Sequence, residues 1–415
     1  MRIVDLFSGA GGLTFGFYYQ LVNGEFVRTG NEIVFANEYN KNAAAAYRKN
    51  YQDVDMIEGD IREVLKDEVI KEKIGNRPID LIIGGPPCQS FSTVGLRRYD
   101  DKAKLFWEYL RVIKVVCPKM FLFENVKGLL SMKEVFYKKN EEGEDITEIK
   151  TIGHEGGKRR TIEVPVVDHY GNKIIDIIKK EFGDIDEGLG YDIEPQVVDA
   201  VNFGVPQNRQ RVVILGIRKD LGLKIPKFET TDKGCTIGEA ISDLPEVNEG
   251  ETKTDYECLP QNPYQILMRG DNVEINDHSC GVYGDKIRTV IKNVKPGQGR
   301  NDFNALVDAG IIDKKYYLTS GYKNTYGRLE ENKPSTTITN NLSTPSGLRC
   351  IHYAQDRALT SREGARIQSF PDWFQFEGKN KSEINMQIGN AVPPLMAMAI
   401  ARQIELVLGE ENNEY

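Results

Sequence analysis

Leu81-Ile82-Ile83-Gly84-Gly85-Pro86-Pro87-Cys88-Gln89-Ser90-Phe91-Ser92 joins an apolar run to a loop of glycines and prolines that holds a cysteine. The run is short and rich in β-branched residues, the pattern of a buried strand. Strand ends of α/β sheets are where such proteins place their chemistry. Cys88 is therefore either a nucleophile or a small buried hydrophobe. The loop alone does not choose between them.

Working outward, the same rhythm repeats. Residues 2–7 read as a strand, followed by a glycine-rich turn and a helix from about Gly12. Ile33 to Ala36 is a strand ending at Glu38, and Asn42 to Tyr47 is helical. Asp55 to Ile57 is a third strand, ending near Asp60. Pro78 to Ile83 is a fourth and Met120 to Phe123 a fifth, with a helix over 105–116 between them. Val212 to Ile217 is a later strand of the same layer. Strands alternating with helices predict an α/β fold: a doubly wound, mostly parallel, Rossmann-like sheet.

Two stretches leave this rhythm. Residues 133–172 are densely charged, with Lys158-Arg159-Arg160 among them, and read as an insertion or surface subdomain with no assigned role. Residues 220–340 are rich in Gly, Asn, Asp and Thr and read as a second, irregular domain. Residues 1–219 then form the first domain. From Ser361 the pattern is helical again, and Ala391 to Leu408 is an apolar helix, so 341–415 is expected to return to the first domain.

The chain has 415 residues and a net charge of −8, an ordinary composition for a soluble protein. The acidic balance argues mildly against nucleic-acid binding by the whole surface, though not by a local basic face. Six cysteines form no C-x-x-C pair, which argues against a structural zinc site, and no metal is expected. No signal peptide and no apolar run long enough for a bilayer are read, so a cytoplasmic location with free thiols and no membrane partner is expected. Four histidines leave little room for His-based catalysis.

Each remaining motif has a functional and a plain reading. Asp5-Leu6-Phe7-Ser8-Gly9-Ala10-Gly11-Gly12-Leu13 places a tight glycine turn between strand and helix, where a ligand can approach the backbone. It departs from G-x-G-x-x-G, since Thr14 stands at the third glycine; a turn without ligand is the alternative. Glu38 suits a ribose and Asp60 an adenine amino group, although either is individually an unremarked surface carboxylate. Their succession at strand ends favours a nucleoside site. Glu124-Asn125-Val126 places a carboxyl at an apolar strand end, where desolvation raises its pKa and favours proton donation; a helix cap is the alternative. In Gln207-Asn208-Arg209-Gln210-Arg211 the alternating arginines point to one face and suit an anion or carbonyl, unless they form a plain salt bridge.

In this order the segments resemble the cytosine-C5 DNA methyltransferase family, of the bacterial or phage restriction–modification type. The resemblance rests on Phe7-x-Gly9-x-Gly11-Gly12, Pro86-Pro87-Cys88-Gln89, Glu124-Asn125-Val126, Gln207-x-Arg209-x-Arg211 and Gly389-Asn390-Ala391-Val392-Pro393-Pro394. Arg328-Leu329, Pro334 to Ile338 and Leu359 to Asp372 also fit. It covers nearly the whole chain except about 133–172 and parts of 220–325.

The resemblance implies a mechanism. Cys88 attacks C6 of a flipped cytosine, Glu124 protonated at N3 stabilises the adduct, Asn125 helps hold the site, and Arg211 with Arg209 binds the base or its phosphate. It also implies S-adenosyl-L-methionine as cofactor. Phe7 would stack on adenine, and Gly9, Gly11, Gly12 and Leu13 would line the methionine end. Glu38 would hold the ribose, with Asp60 and Ile61 at the adenine edge. Pro86 and Leu105 would wall the pocket, and Asn390 and Val392 would close it.

Double-stranded DNA is the implied partner. Gln89, Ser92, Arg97 and Arg98 would close over the base, and Lys286, Arg288, Lys292, Lys295 and Arg300 would form a phosphate-facing stripe. Where the family has an arginine before Leu105, this chain has Lys102 or Lys104. A monomer and, within the same system, a cognate restriction endonuclease are expected. A cytosine-C5 tRNA methyltransferase is the alternative; it is disfavoured by the long 220–340 region and by the lack of Cys-Phe-Thr. A non-catalytic regulator is disfavoured by the intact Cys88, Glu124 and Arg211, and an oxidoreductase by the glycine pattern.

Overall fold

The computed structural model describes residues 1–86, 105–155, 158–183, 190–230, 234–319 and 321–410; for 151–155, 158–160, 162 and 410 it gives the backbone alone. The first half alternates as the sequence predicts: β1 (Arg2–Leu6), α1 (Gly12–Tyr18), β2 (Tyr19–Val22), β3 (Glu25–Arg28), β4 (Glu32–Glu38), α2 (Lys41–Asn50), β5 (Met56–Glu58), α3 (Ile61–Val64), α4 (Asp67–Ile74), β6 (Leu81–Gly84), α5 (Leu105–Val116) and β7 (Met120–Val126). The hairpin β2–β3 is an addition that the expected helix–strand pattern did not contain.

The insertion is entirely β: β8 (Lys133–Tyr137) pairs with β11 (Val167–Lys173), and β9 (Thr147–Glu155) with β10 (Lys158–Pro165), all antiparallel. The chain then forms α6 (Ile174–Gly183), β12 (Tyr191–Asp199) and β13 (Gln210–Arg218).

The central sheet has seven strands in the order β12-β13-β7-β6-β1-β4-β5. Strands β7, β6, β1, β4 and β5 are parallel, while β13 runs antiparallel to both its neighbours, β7 and β12. The order reverses about β1: the chain moves outward to β4 and β5, then returns to its other side at β6. Ligands bind at the carboxyl ends of the strands beside such a reversal. There lie the glycine turn after β1 and Gly85-Pro86 after β6.

Both faces of the sheet are covered at its centre, so its inner strands are mostly apolar, while edge strand β12 is partly polar and exposed. Ile3, Leu81, Ile83, Met120, Leu122, Val213 and Leu215 face one core; Val4, Ile82, Phe121, Phe123, Val212 and Ile214 face the other. Helices α4, α5 and α6 supply Ile70, Leu110, Ile113 and Ile178 to the second core.

Beyond β13 come short helices: α7 (Ile237–Ile241), α8 (Pro263–Arg269), α9 (Asp285–Asn293), α10 (Arg300–Asp308), α11 (Ser361–Ile367), α12 (Lys381–Asn390) and α13 (Pro394–Glu410). Helices α9 and α10 build a small core of their own with Val290, Val294, Phe303, Val307, Ile312 and Leu318. Ile237, Ala240 and Ile241 of α7 instead join the first core of the sheet.

The apolar helix expected over Ala391 to Leu408 begins only at Pro394. Residue Ala391 is extended (φ −65°, ψ 150°) and separates α12 from α13. By length and composition the stretch Lys381–Gly409 reaches a membrane span, contrary to the expectation of no such run. Yet Met396, Ala397, Ile400, Ala401 and Ile404 lie in the core. A Cβ on Gly16 would stand 2.2 Å from the Ala397 carbonyl carbon, so α1 and α13 touch backbone to backbone.

Candidate active site

The carboxyl ends of β1, β4, β6 and β7 open into a cavity of about 690 Å³. Phe7, Gly9, Gly12, Leu13, Glu38, Asp60, Ile61, Pro86, Leu105, Asn390 and Val392 all line it, together with Glu124, Asn125, Arg209 and Arg211. Gly11 does not. It turns in the left-handed region (φ 95°), its carbonyl accepts the Tyr51 hydroxyl at 2.6 Å, and a Cβ there would lie 2.2 Å from the Tyr51 ring. It shapes the turn from behind the cavity wall.

Phe7 holds a left-handed backbone (φ 57°) without being glycine, a conformation that costs about 1–3 kcal/mol. Glu38 accepts the Gly9 N–H at 2.8 Å and the Asn40 N–H at 2.7 Å, fastening β4 to the turn after β1. Burial nonetheless raises its pKa. Asp60 caps α3 by accepting the Arg62 N–H at 2.9 Å and pairs with the Arg62 guanidinium at 2.6 Å, which lowers its pKa.

Asp5 sits beneath the turn, fully buried. Its Oδ2 accepts the Thr14 hydroxyl, whereas Oδ1 is buried without a hydrogen-bond partner. Desolvation pushes its pKa up to about 8. Neither Asp5 nor the exposed Tyr39 was read as a site residue, though both line the cavity. The signal for Asp5 was an acid inside an apolar strand. For Tyr39 it was only adjacency to Glu38.

The other end of the cavity is built by β7 and β13. Their antiparallel register sets Arg211 opposite Val126 and Glu124 opposite Val213. The start of β13 therefore meets the finish of β7, and Arg211 Nε lies 3.0 Å from Glu124 Oε1. Burial raises the Glu124 pKa, opposed by Arg211 and then Arg209. The direction is that expected at an apolar strand end, and the carboxyl does not cap the 3₁₀ turn that follows. Asn125 donates to the Pro86 carbonyl at 3.2 Å and accepts the Val126 N–H at 2.9 Å, holding the chain that leads toward Cys88.

Arg209 departs from expectation. It precedes β13 rather than lying in it, so it does not share the face of Arg211 through strand alternation. It is buried and donates to the carbonyls of Ile338, Gly389 and Ala391, each at 2.9 Å. Gln207 works beside it, accepting the Ile338 N–H at 2.7 Å and donating to Gln368 at 2.8 Å. Both residues join the sheet to later segments that wall the cavity.

Cys88, Gln89, Ser92, Arg97 and Arg98, with Lys102 and Lys104, lie outside the described residues. The basic stripe expected from Asp285 to Arg300 is not a single row. On α9 Lys286 and Arg288 are about 200° apart around the axis. Arg288 is held by Glu249 at 2.7 Å, Lys286 donates to the Tyr317 carbonyl at 3.1 Å, and Arg300 donates to Leu318 and Gly321. Lys292 and Lys295 are exposed.

A profile of the C-5 cytosine-specific DNA methylases matches residues 1–146 and 165–406. The chain belongs to this family. Among relatives, this methylase is 32% identical to the Type II methyltransferase M1.HphI of Haemophilus parahaemolyticus, over 100% of this chain and 88% of that one. It is also 32% identical to M.DdeI of Desulfomicrobium norvegicum, over 97% and 88%. Its fold is shared with a prophage-encoded DNA modification methyltransferase of E. coli (TM-score 0.68, 24% identity, 99% of both chains). The Entamoeba histolytica methyltransferase EhMeth is a more distant likeness (TM-score 0.56, 13% identity, 98% of both).

The methylase is a DNA cytosine-C5 methyltransferase, an enzyme class that uses S-adenosylmethionine as methyl donor. The family match displaces the tRNA alternative. The cavity suits that donor: the carboxyl groups of Glu38 and Asp60 line it and can accept hydrogen bonds from the hydroxyl and amino groups of a nucleoside.

Proposed function

We propose that this methylase modifies one cytosine of a specific duplex sequence through a covalent bond from Cys88 to C6 of the flipped base. The observation that carries this reading is the Glu124–Arg211 pair at 3.0 Å, beside Asn125, which holds Pro86 at the start of the Cys88 loop. A thiolate at Cys88 forms the S–C6 bond, and the C5–C6 π electrons move toward N3 and C5. Glu124, whose pKa burial raises, hydrogen-bonds N3 in its protonated form and stabilises that charge. Arg211 orients Glu124 and faces the base. S-adenosylmethionine, when bound, supplies the methyl group that C5 receives. The H5 proton then leaves to water, the C5–C6 double bond re-forms and the S–C6 bond breaks, which restores the thiolate.

Glu38, Asp60, Ile61 and Phe7 would hold the nucleoside end of the donor. Gly9, Gly12, Leu13, Pro86, Leu105, Asn390 and Val392 would shape the rest, with Gly11 supporting the turn from behind. Residues 1–219 with 341–415 serve as catalytic domain, and 220–340 reads the sequence. Lys292 and Lys295 suit phosphate contact best, because Lys286, Arg288 and Arg300 are engaged within the protein. The names of the Type II relatives support a role in a restriction–modification system; a cytoplasmic monomer acting beside a cognate endonuclease completes the proposal.

Bisulfite sequencing of DNA from a host expressing the chain tests the reading. Methylation at one cytosine of a recurring sequence is expected; unmodified DNA overturns it. A duplex carrying 5-fluorocytosine should trap the enzyme covalently, because fluorine does not leave as H5 does. Failure of active enzyme to form that adduct overturns the Cys88 step.

A further inference from the structure

Residues 284–325 hold eight lysines and arginines against four aspartates, in a chain whose net charge is −8. Three of the aspartates are bonded within this basic module. Asp285 accepts the Tyr316 hydroxyl at 2.6 Å, Asp302 the Gly299 N–H at 2.9 Å and Asp313 the Lys315 N–H at 2.9 Å. Asp285 and Asp313 also lie near Lys315 and offset part of its charge.

The segment that follows α10 is held from behind. Asn304, buried on α10, donates to the Leu318 carbonyl at 3.0 Å and accepts the Leu318 N–H at 2.9 Å. Arg300 donates to the Leu318 carbonyl at 3.1 Å and the Gly321 carbonyl at 2.9 Å, and Lys286 to the Tyr317 carbonyl at 3.1 Å. A 3₁₀ turn (Lys314–Tyr316), capped by Asp313, leads into it. The backbone is thus fixed, while Lys314, Lys315, Tyr317, Tyr322 and Lys323 remain exposed, Tyr322 by 62%. Among the described residues none of the three lysines is in an ion pair. A fixed backbone with free cationic side chains has little ordering left to do when it binds an anion.

Its place relates it to the active site. The segment runs on into Thr325 and Tyr326, which meet Leu348 and the Gly347 carbonyl. Gly347 ends a turn that starts at Thr339, beside Ile338, whose carbonyl Arg209 holds at 2.9 Å at the cavity wall. One turn therefore separates the basic segment from the wall of the cavity. Lys292 stands about 120° from Lys286 around α9, so this is a different surface from the Lys292 side.

We propose that residues 314–319 and 321–323 form a DNA-contacting edge, in which Lys314, Lys315 and Lys323 sit on duplex phosphates and Tyr322 packs against a deoxyribose of the same backbone. The inference rests on the proposed methylation of a specific duplex. Phosphate contacts of this kind fix the register of a protein on DNA, and each neutralised phosphate releases counterions.

The test compares wild type with K314Q/K315Q/K323Q, with K314R/K315R/K323R and with a charge-matched control, K71Q/K179Q/K180Q, whose lysines are exposed on α4 and α6. Binding to a duplex of about 40 base pairs that carries the sequence found by bisulfite sequencing is followed by anisotropy across a salt series. The first variant should bind about 10-fold or more weakly at low salt, with a log–log salt slope shallower by about 2–3, at about 0.9 per phosphate lost. The arginine variant and the control should keep the wild-type slope. Tyr322→Ala should weaken binding with the slope unchanged. Calorimetric affinity for S-adenosylmethionine, equal to wild type, reports that each variant is folded. An unchanged slope in K314Q/K315Q/K323Q, or an equal loss in the control, overturns the edge, and wild-type affinity in Tyr322→Ala removes the tyrosine from it. A wild type that methylates no duplex instead overturns the reading on which the edge rests.

Discussion

Arg211 reaches Glu124 diagonally across antiparallel strands, with Nε 3.0 Å from Oε1, although the two lie on chain segments running in opposite directions. The arginine both orients the carboxyl and opposes its desolvation. The pair therefore sets the pH range in which Glu124 keeps its proton.

Glu124→Gln should retain duplex and cofactor binding and lose turnover by about 10²–10⁴-fold, the usual range for a positioned proton donor. Single-turnover methyl transfer reads this directly. Wild-type turnover in the variant would remove the acid role.

The pH profile gives a sharper check. On the proposed mechanism turnover requires protonated Glu124, so it should fall as pH rises through the raised pKa. Arg211 holds that pKa down; Arg211→Gln should shift the alkaline limb to higher pH while lowering the maximum rate. A limb that stays in place would separate the two residues functionally.

Asp5 titrates differently in the folded and unfolded chain, with its folded pKa raised to about 8 from an ordinary value of 3.8. Between those values the native state holds a proton that the unfolded state has released. Stability should therefore be greatest at the acid side of this window and fall as pH rises toward 8, by at most about 1.4 kcal/mol per pH unit. Asp5→Asn should flatten that dependence in denaturant melts taken across the window. An unaltered slope would contradict the buried, protonated state.

Arg209→Met should lower stability by about 3 kcal/mol, since charge-assisted bonds to three carbonyls are lost. Arg209→Lys should not restore it, because one ammonium cannot reproduce the planar fork. Urea midpoints at constant m-value decide the matter. Full rescue by lysine would count against the geometric role.

Glycine at 12 is required by contact. A Cβ there would stand 2.4 Å from the Val392 carbonyl oxygen. Gly12→Ala should weaken cofactor binding, with a stability cost of about 1–3 kcal/mol from overpacking. Calorimetric titration with S-adenosylmethionine tests the first effect and a thermal melt the second.

What sequence reading captured follows from periodicity. The run 105–116 matches α5 because its amphipathic pattern is continuous, and the apolar strands of the parallel core are marked by burial on both faces. The direction of β13 left no such mark, as antiparallel strands buried on both faces have the same composition as parallel ones. The two arginines of one short motif were read alike because strand alternation was extended one residue beyond the start of β13. Arg211 lies within β13 and Arg209 before it, so one meets an acid and the other binds carbonyls from distant segments. Pro393-Pro394 did signal a helix boundary that composition alone obscured.

The closeness of Gly12 to Val392 has a bearing on biosynthesis. The wall that closes the cavity is translated later than the whole of the central sheet. A nascent chain therefore carries its glycine turn and Glu124 strand on the ribosome with the cavity still open to water. Methyl transfer capacity should arise only once α12 and Val392 have been made, and fragments interrupted before α12 should be catalytically silent even where their sheet has folded.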